Sequence, residues 1–185
     1  MKSSILKWEL IGIAVISLFG ALLHFAFDWS GGWSPVGVIA AVNESVFEHL
    51  KLTYWPALLY AAIEHIRLGK SVNNFVIAKT AGLCVMPVAI MAIFYSYTTI
   101  TGGENLITDI TVFVEAIVLG QLTSYKILTM AQLAHRFQKL ALAGLIFLGI
   151  IYAVFTFYPP HTPIFMDPIT GTYGILQHKF PGRQH

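Results

Sequence analysis

The sequence predicts an all-α, polytopic membrane helix bundle, on three observations: its hydropathy, its charge distribution and its aromatic placement. Of 185 residues, 56% are hydrophobic and 11% charged, against roughly half and a quarter in soluble domains. A soluble core of this size could not bury so much apolar surface, so lipid is the expected solvent. Five stretches, at about residues 8–28, 45–66, 75–99, 106–128 and 138–158, reach the roughly 20 apolar residues that cross a hydrocarbon layer about 30 Å thick. The net charge of +2, with no basic cluster, argues against nucleic acid as a partner. A lone Cys84 excludes an internal disulfide framework and a cysteine-based zinc site.

The first span follows Lys2 and Lys7 in the manner of a signal peptide, but Phe27-Asp28-Trp29 is no small-residue cleavage site, so the span is expected to be retained. Asn43-Glu44-Ser45 opens the second, with Asn43 as the expected N-cap. Pro56 and Pro87 fall inside the second and third spans and predict kinks there. The fourth span carries Glu115, about 9 Å along the helix from Asp109. Beyond the fifth, the prolines and glycines of 159–175 forbid a long helix, while Ile164, Phe165, Met166, Ile169 and Tyr173 are too apolar for free solvent. A structured tail folded over the outer mouth of the bundle is expected, and the chain reads as one integral membrane domain.

Lys and Arg fix the expected orientation. With the N-terminus in the cytoplasm and the C-terminal tail outside, Lys2, Lys7, Arg67, Lys70, Lys79, Lys126, Arg136 and Lys139 are cytoplasmic, and only Lys51, Lys179 and Arg183 lie opposite. Trp8, Trp29, Trp33, Tyr54, Trp55 and Tyr158 then sit near span ends, where interfacial aromatics belong. In a prokaryotic plasma membrane the outer side is extracytoplasmic.

This orientation separates the carboxylates. Glu9 and Glu64 are cytoplasmic, whereas Asp28, Glu44, Glu48, Glu104, Asp109, Glu115 and Asp167 gather at the outer half with His24, His49 and His161. Charge within hydrocarbon is costly unless paired or hydrated, which makes His24 and Glu115 the foremost functional candidates. Imidazole with carboxylate suits zinc or iron, so His24, Asp28, Glu44, His49 and His161 are candidate metal ligands. Glu48, Glu115 and Asp167 are candidate catalytic groups, acting as acid or base. Structural roles compete: Glu44 and Glu48 can complement a helix N-terminus, Glu48 and Lys51 can pair three residues apart, and Asp167-Pro168 can start a turn.

The segments LHFAFDWSGG (23–32), VNESVFEHLKLTYWP (42–56) and FTFYPPHTPIFMDPITGTYG (155–174) resemble an uncharacterised family, a domain of unknown function, of small prokaryotic membrane proteins. The resemblance implies a five-span single domain and carries no activity or site residue. From the residues themselves, the leading expectation is a membrane-embedded hydrolase or transferase. Its site faces outward and its substrate is a lipid, lipid-linked molecule or lipoprotein; the cofactor is zinc or iron in the metal version, while the same groups without metal would serve as acid and base. A small proton- or cation-coupled transporter built on Glu115, His24 and Glu44 is the alternative, and a non-catalytic assembly protein the third. A homo-oligomer is compatible with all three.

Overall fold

Six α-helices and one 3₁₀ turn organise the computed structural model, which describes residues 2–69 and 71–175. They are α1 (Lys2–Trp29), α2 (Ser34–Gly37), α3 (Val46–Leu68), α4 (Phe75–Thr101), α5 (Leu106–Leu128) and α6 (His135–Phe157), with the 3₁₀ turn at Pro163–Phe165. Among the described residues there is no strand, only an isolated bridge between Met166 and Tyr173. Lys179 and Arg183, counted in the orientation argument, lie outside the described residues, as does Lys70.

The helix ends follow capping chemistry. Ser45 caps α3 by accepting from the Glu48 amide at 3.4 Å. Asn43 is not the cap: its Oδ1 accepts from Ser45 N at 3.0 Å, an Asx turn that leads into the cap one step later. Asn105 caps α5 by accepting from the amides of Ile107 and Thr108. Gly102 ends α4 with φ at +77°, a conformation that only glycine adopts without strain. α3 and α4 run through Pro56 and Pro87 as continuous helices.

Four helices (α1, α4, α5 and α6) are long and apolar enough to cross a membrane. α3 is as long as α5 and α6, at 23 residues, but Glu48, Lys51, Glu64 and Arg67 make it too polar to qualify by composition. Its position explains this. α3 packs between α1 and α4, and Glu48, Lys51 and Glu64 are all buried. The outer helices show the reverse pattern, with Leu10, Leu18, Phe25, Val88, Leu140 and Phe147 exposed. A polar axis inside an apolar skin is the arrangement lipid selects, because hydrocarbon solvates the skin and only protein can pair the charges.

α4 and α5 make the closest helix pair. A Cβ added to Gly82 would collide with the Gly120 carbonyl, and one added to Gly120 with Met86 and the Gly82 carbonyl. Small residues at such a crossing let two backbones approach. The core beneath is built of Ile16, Tyr54, Tyr60, Met86, Ile117 and Tyr152.

The two ends are tied differently. At the end holding the α1 N-terminus, Asn74 donates to the carbonyls of Ile127 and Ala131 and accepts from Leu133 N, clipping the α3–α4 turn to the α5–α6 turn. At the other end the tail folds back, with Phe165 packed against Phe47 and Phe155. Ile175 is fully buried with Phe27, Ala40 and Val42.

Candidate metal centre

His24, Glu44 and His49 converge from three separate elements. His24 lies in the last two turns of α1, Glu44 in the loop before the α3 cap, and His49 in the first turn of α3. His24 Nε2 and His49 Nε2 are 3.1 Å apart, and Glu44 Oε2 stands 3.6 Å from the first and 3.5 Å from the second. Zinc bonds of about 2.0–2.2 Å place adjacent donors of a tetrahedron about 3.3–3.6 Å apart. The three donor atoms are therefore spaced like one face of a tetrahedral coordination shell. It is the one such group of three or more metal-competent side chains among the described residues.

Local chemistry aims the donors inward. His49 Nδ1 lies 2.9 Å from the Ser45 carbonyl, one turn back on the same helix. A carbonyl only accepts, so Nδ1 carries the proton and Nε2 presents its lone pair to the cluster. A second hydrogen bond of this kind fixes the tautomer and ring plane of metal-bound histidines. Without a cation, one imidazole must donate to the other across 3.1 Å, and two imidazolium rings cannot share that distance. The neighbouring imidazoles, His24 first and His49 second, hold the Glu44 carboxyl well below its ordinary range. The side chains of His24, His49 and Glu44 are 29, 32 and 45% exposed, which leaves one side of the cluster open.

The loop that delivers Glu44 is anchored by a buried ion pair. Lys51 Nζ lies 2.5 Å from Glu48 Oε2 and donates to the Gly37 carbonyl at 2.8 Å and to Thr156 Oγ1 at 2.7 Å. Glu48 Oε2 also accepts from the Val42 amide at 3.0 Å. The two ends of residues 37–42 are thus tied to α3, and α6 is drawn in through Thr156. Glu48 serves here as the three-apart partner of Lys51, its carboxylate turned into this network.

The remaining candidates lie apart from the cluster. Asp28 is exposed one turn beyond His24, and His161 is exposed and stacked on Tyr173 at 4.5 Å. Neither contributes an atom to the three-donor group. Asp167 is buried and accepts from Ile169 N and Thr170 Oγ1, closing the turn that returns the tail. Glu115 is exposed on the outward face of α5, in register with Thr111 and Leu119. The tail packs on Phe47, two residues and about 200° round α3 from His49, so it lies against the opposite face of that helix.

Sequence reasoning missed a second buried cluster. Lys79 Nζ stands 2.7 Å from Glu9 Oε1 and 2.5 Å from Glu64 Oε2, bridging α4 to α1 and α3. Ser124 and Gln121 of α5 add hydrogen bonds to the Glu9 carboxylate and carbonyl. Lys79 reads in the sequence as an orienting charge, and the depth of Glu9 beyond the first turn of α1 was the available signal.

A family model described as a family of unknown function matches residues 1–175. No curated protein and no solved structure matches the chain.

Proposed function

We propose that this chain, which belongs to the family of unknown function DUF6512, is a five-span, metal-dependent membrane enzyme with its site at the extracytoplasmic surface. The observation that carries the reading is the donor spacing of His24, Glu44 and His49 together with the open side of the cluster. In the five-span reading α3 crosses inside a ring of apolar partners that pair its charges. The described exposed cations (Lys2, Lys7, Arg67, Lys126, Arg136 and Lys139) all gather at the end opposite the cluster, which favours placing that end in the cytoplasm.

Two imidazoles and one carboxylate are the donor set of hydrolytic zinc sites and also of open iron sites. His24, Glu44 and His49 would hold a zinc ion whose chemistry would be to acidify a bound water and polarise a carbonyl or phosphoryl oxygen. The chain's own contribution is to orient His49 through Ser45, to supply the Glu44 charge and to hold the loop through Lys51 and Glu48. The reading rests on the three donors and assigns no part in water activation to Glu48, Glu115 or Asp167. Phe25, Trp29 and Trp33 are exposed beside the site, and interfacial aromatics suit an amphiphilic substrate. Hydrolysis or group transfer on a lipid, lipid-linked molecule or lipoprotein fits that setting.

A carrier reading needs a polar path from this cluster to the far end. Along α3 the hydroxyls of Thr53, Tyr54 and Tyr60 donate to the carbonyls of Leu50, Leu145 and Trp8, which favours the enzyme. The test is metal analysis of the chain purified in mild detergent without chelator. About one zinc or iron per chain, lost in folded His49→Ala and Glu44→Gln, is the expected result. A metal-free parent, or metal retained by both variants, would overturn the proposal.

A further inference from the structure

At the end of the bundle opposite the metal centre, Glu9, Glu64 and Lys79 meet in a site that is almost wholly closed: they are 1, 0 and 5% exposed. Lys79 Nζ lies between the two carboxylates. Two carboxylates against one ammonium leave a net charge of −1 where there is no solvent to share it. The hydrogen-bonding side chains packed around the triad are neutral. α5 gives Ser124 and Gln121, while Tyr60 of α3 donates its hydroxyl to the Trp8 carbonyl. His65, the nearest titratable neighbour of Glu64 along α3, is exposed and packs its ring on Phe75. Glu9 Oε2 and Glu64 Oε1 are buried with no hydrogen-bond partner among the described residues.

We infer that Glu9, Glu64 and Lys79 form an intramembrane proton-binding site, in which Glu64 carries one proton beyond those on the lysine. An isolated buried charge of either sign is costly, and a carboxyl that shares its cation with another carboxyl is neutralised by a proton instead. The geometry selects Glu64. Glu9 Oε1 accepts from both Lys79 Nζ and Ser124 Oγ, at 2.7 and 2.8 Å, which stabilises its charged form. Glu64 has Lys79 alone. Uptake moves a proton from the aqueous phase onto a Glu64 carboxylate oxygen; one O–H bond forms and the triad passes from −1 to neutral. A metal cation is a poorer occupant, since the Lys79 ammonium already stands within 2.7 Å of both carboxylates. The inference concerns a different end of the molecule from the metal centre and stands whether or not that centre binds metal.

The experiment is infrared spectroscopy of the full chain in lipid vesicles at neutral pH, with deuterium exchange to identify the protonated-carboxyl carbonyl stretch. All variants are made in a Glu115→Gln background, which removes the exposed carboxyl of α5. The parent is expected to show the band of one protonated carboxyl. Glu64→Gln loses it. Glu9→Gln loses it too, because Glu64 then has the lysine to itself and ionises. Lys79→Met doubles it, since two carboxyls remain without a cation. Absence of the band in the parent overturns the inference, as does a band that persists in both glutamine variants. Should one glutamine variant fail to fold, as judged by circular dichroism, the other still decides.

Discussion

His49 illustrates how much can rest on one hydrogen bond. Its bond to the Ser45 carbonyl decides which ring nitrogen is free, and hence whether the cluster faces a cation with three lone pairs or with two. Metal binding requires neutral imidazoles, so affinity should fall on acidification as protons compete for the two ring nitrogens. Glu44 does not set this limit. Its carboxyl is held below the ordinary range, so its ionised form persists at acidities where free glutamate is protonated. The stabilisation linked to that shift is complete above the ordinary carboxylate range and is lost only as pH falls through the lower folded value. Metal retention across a pH series, in parent and Glu44→Gln, checks both statements. Lys51 gives a second prediction at this scale. Lys51→Met strands the Glu48 carboxylate in a dry site, a loss of about 3–5 kcal/mol. The apparent melting temperature in detergent should drop sharply and recover in large part when Glu48→Gln is added.

At the scale of the element, α3 is the piece on which the sequence reading and the structure bear most differently. Its extent was legible from the Asn43-Glu44-Ser45 signal and the following apolar run, and the cap falls on Ser45. Its burial was not legible, because a linear hydropathy profile cannot tell a charge facing lipid from one facing another helix. Glu48 and Lys51 show this: as residues three apart they could be a surface pair, yet both are enclosed. The convergence of His24, Glu44 and His49 was readable as composition near one membrane face. Their separation from Asp28 and His161 depends on loop and tail paths that no spacing reveals. Glu9 and Lys79 are 70 residues apart, and nothing local announces their contact. The α4–α5 crossing supplies a test of packing. Gly82→Val must push against the Gly120 carbonyl, a rigid neighbour, and overpacking of this kind costs about 1–3 kcal/mol. Thermal unfolding in detergent should show the loss, whereas Gly144→Val, with no atom within reach of its Cβ, should leave the melting point within error.

For the whole molecule, the inside-out distribution of polarity predicts how it meets chemical probes. Cys84 is exposed on α4 in register with Val88, well inside that span. In sealed vesicles a charged maleimide should leave it unmodified and a membrane-permeant one should label it. Labelling by the charged reagent would place that face in water and contradict the bilayer reading. The polar axis also bears on how the chain enters a membrane at all. Glu48, Lys51 and Glu64 on one helix would each resist partitioning by about 2.5–3.5 kcal/mol at mid-bilayer. α3 is therefore a poor candidate for leaving the insertion machinery alone. Lys79, on the far side of the short α3–α4 turn, cancels Glu64 only when both helices are present, and Glu9 waits on a helix made earlier. In the five-span reading biogenesis becomes a matter of timing: the third helix is expected to enter lipid together with the fourth, as a hairpin docked against the first.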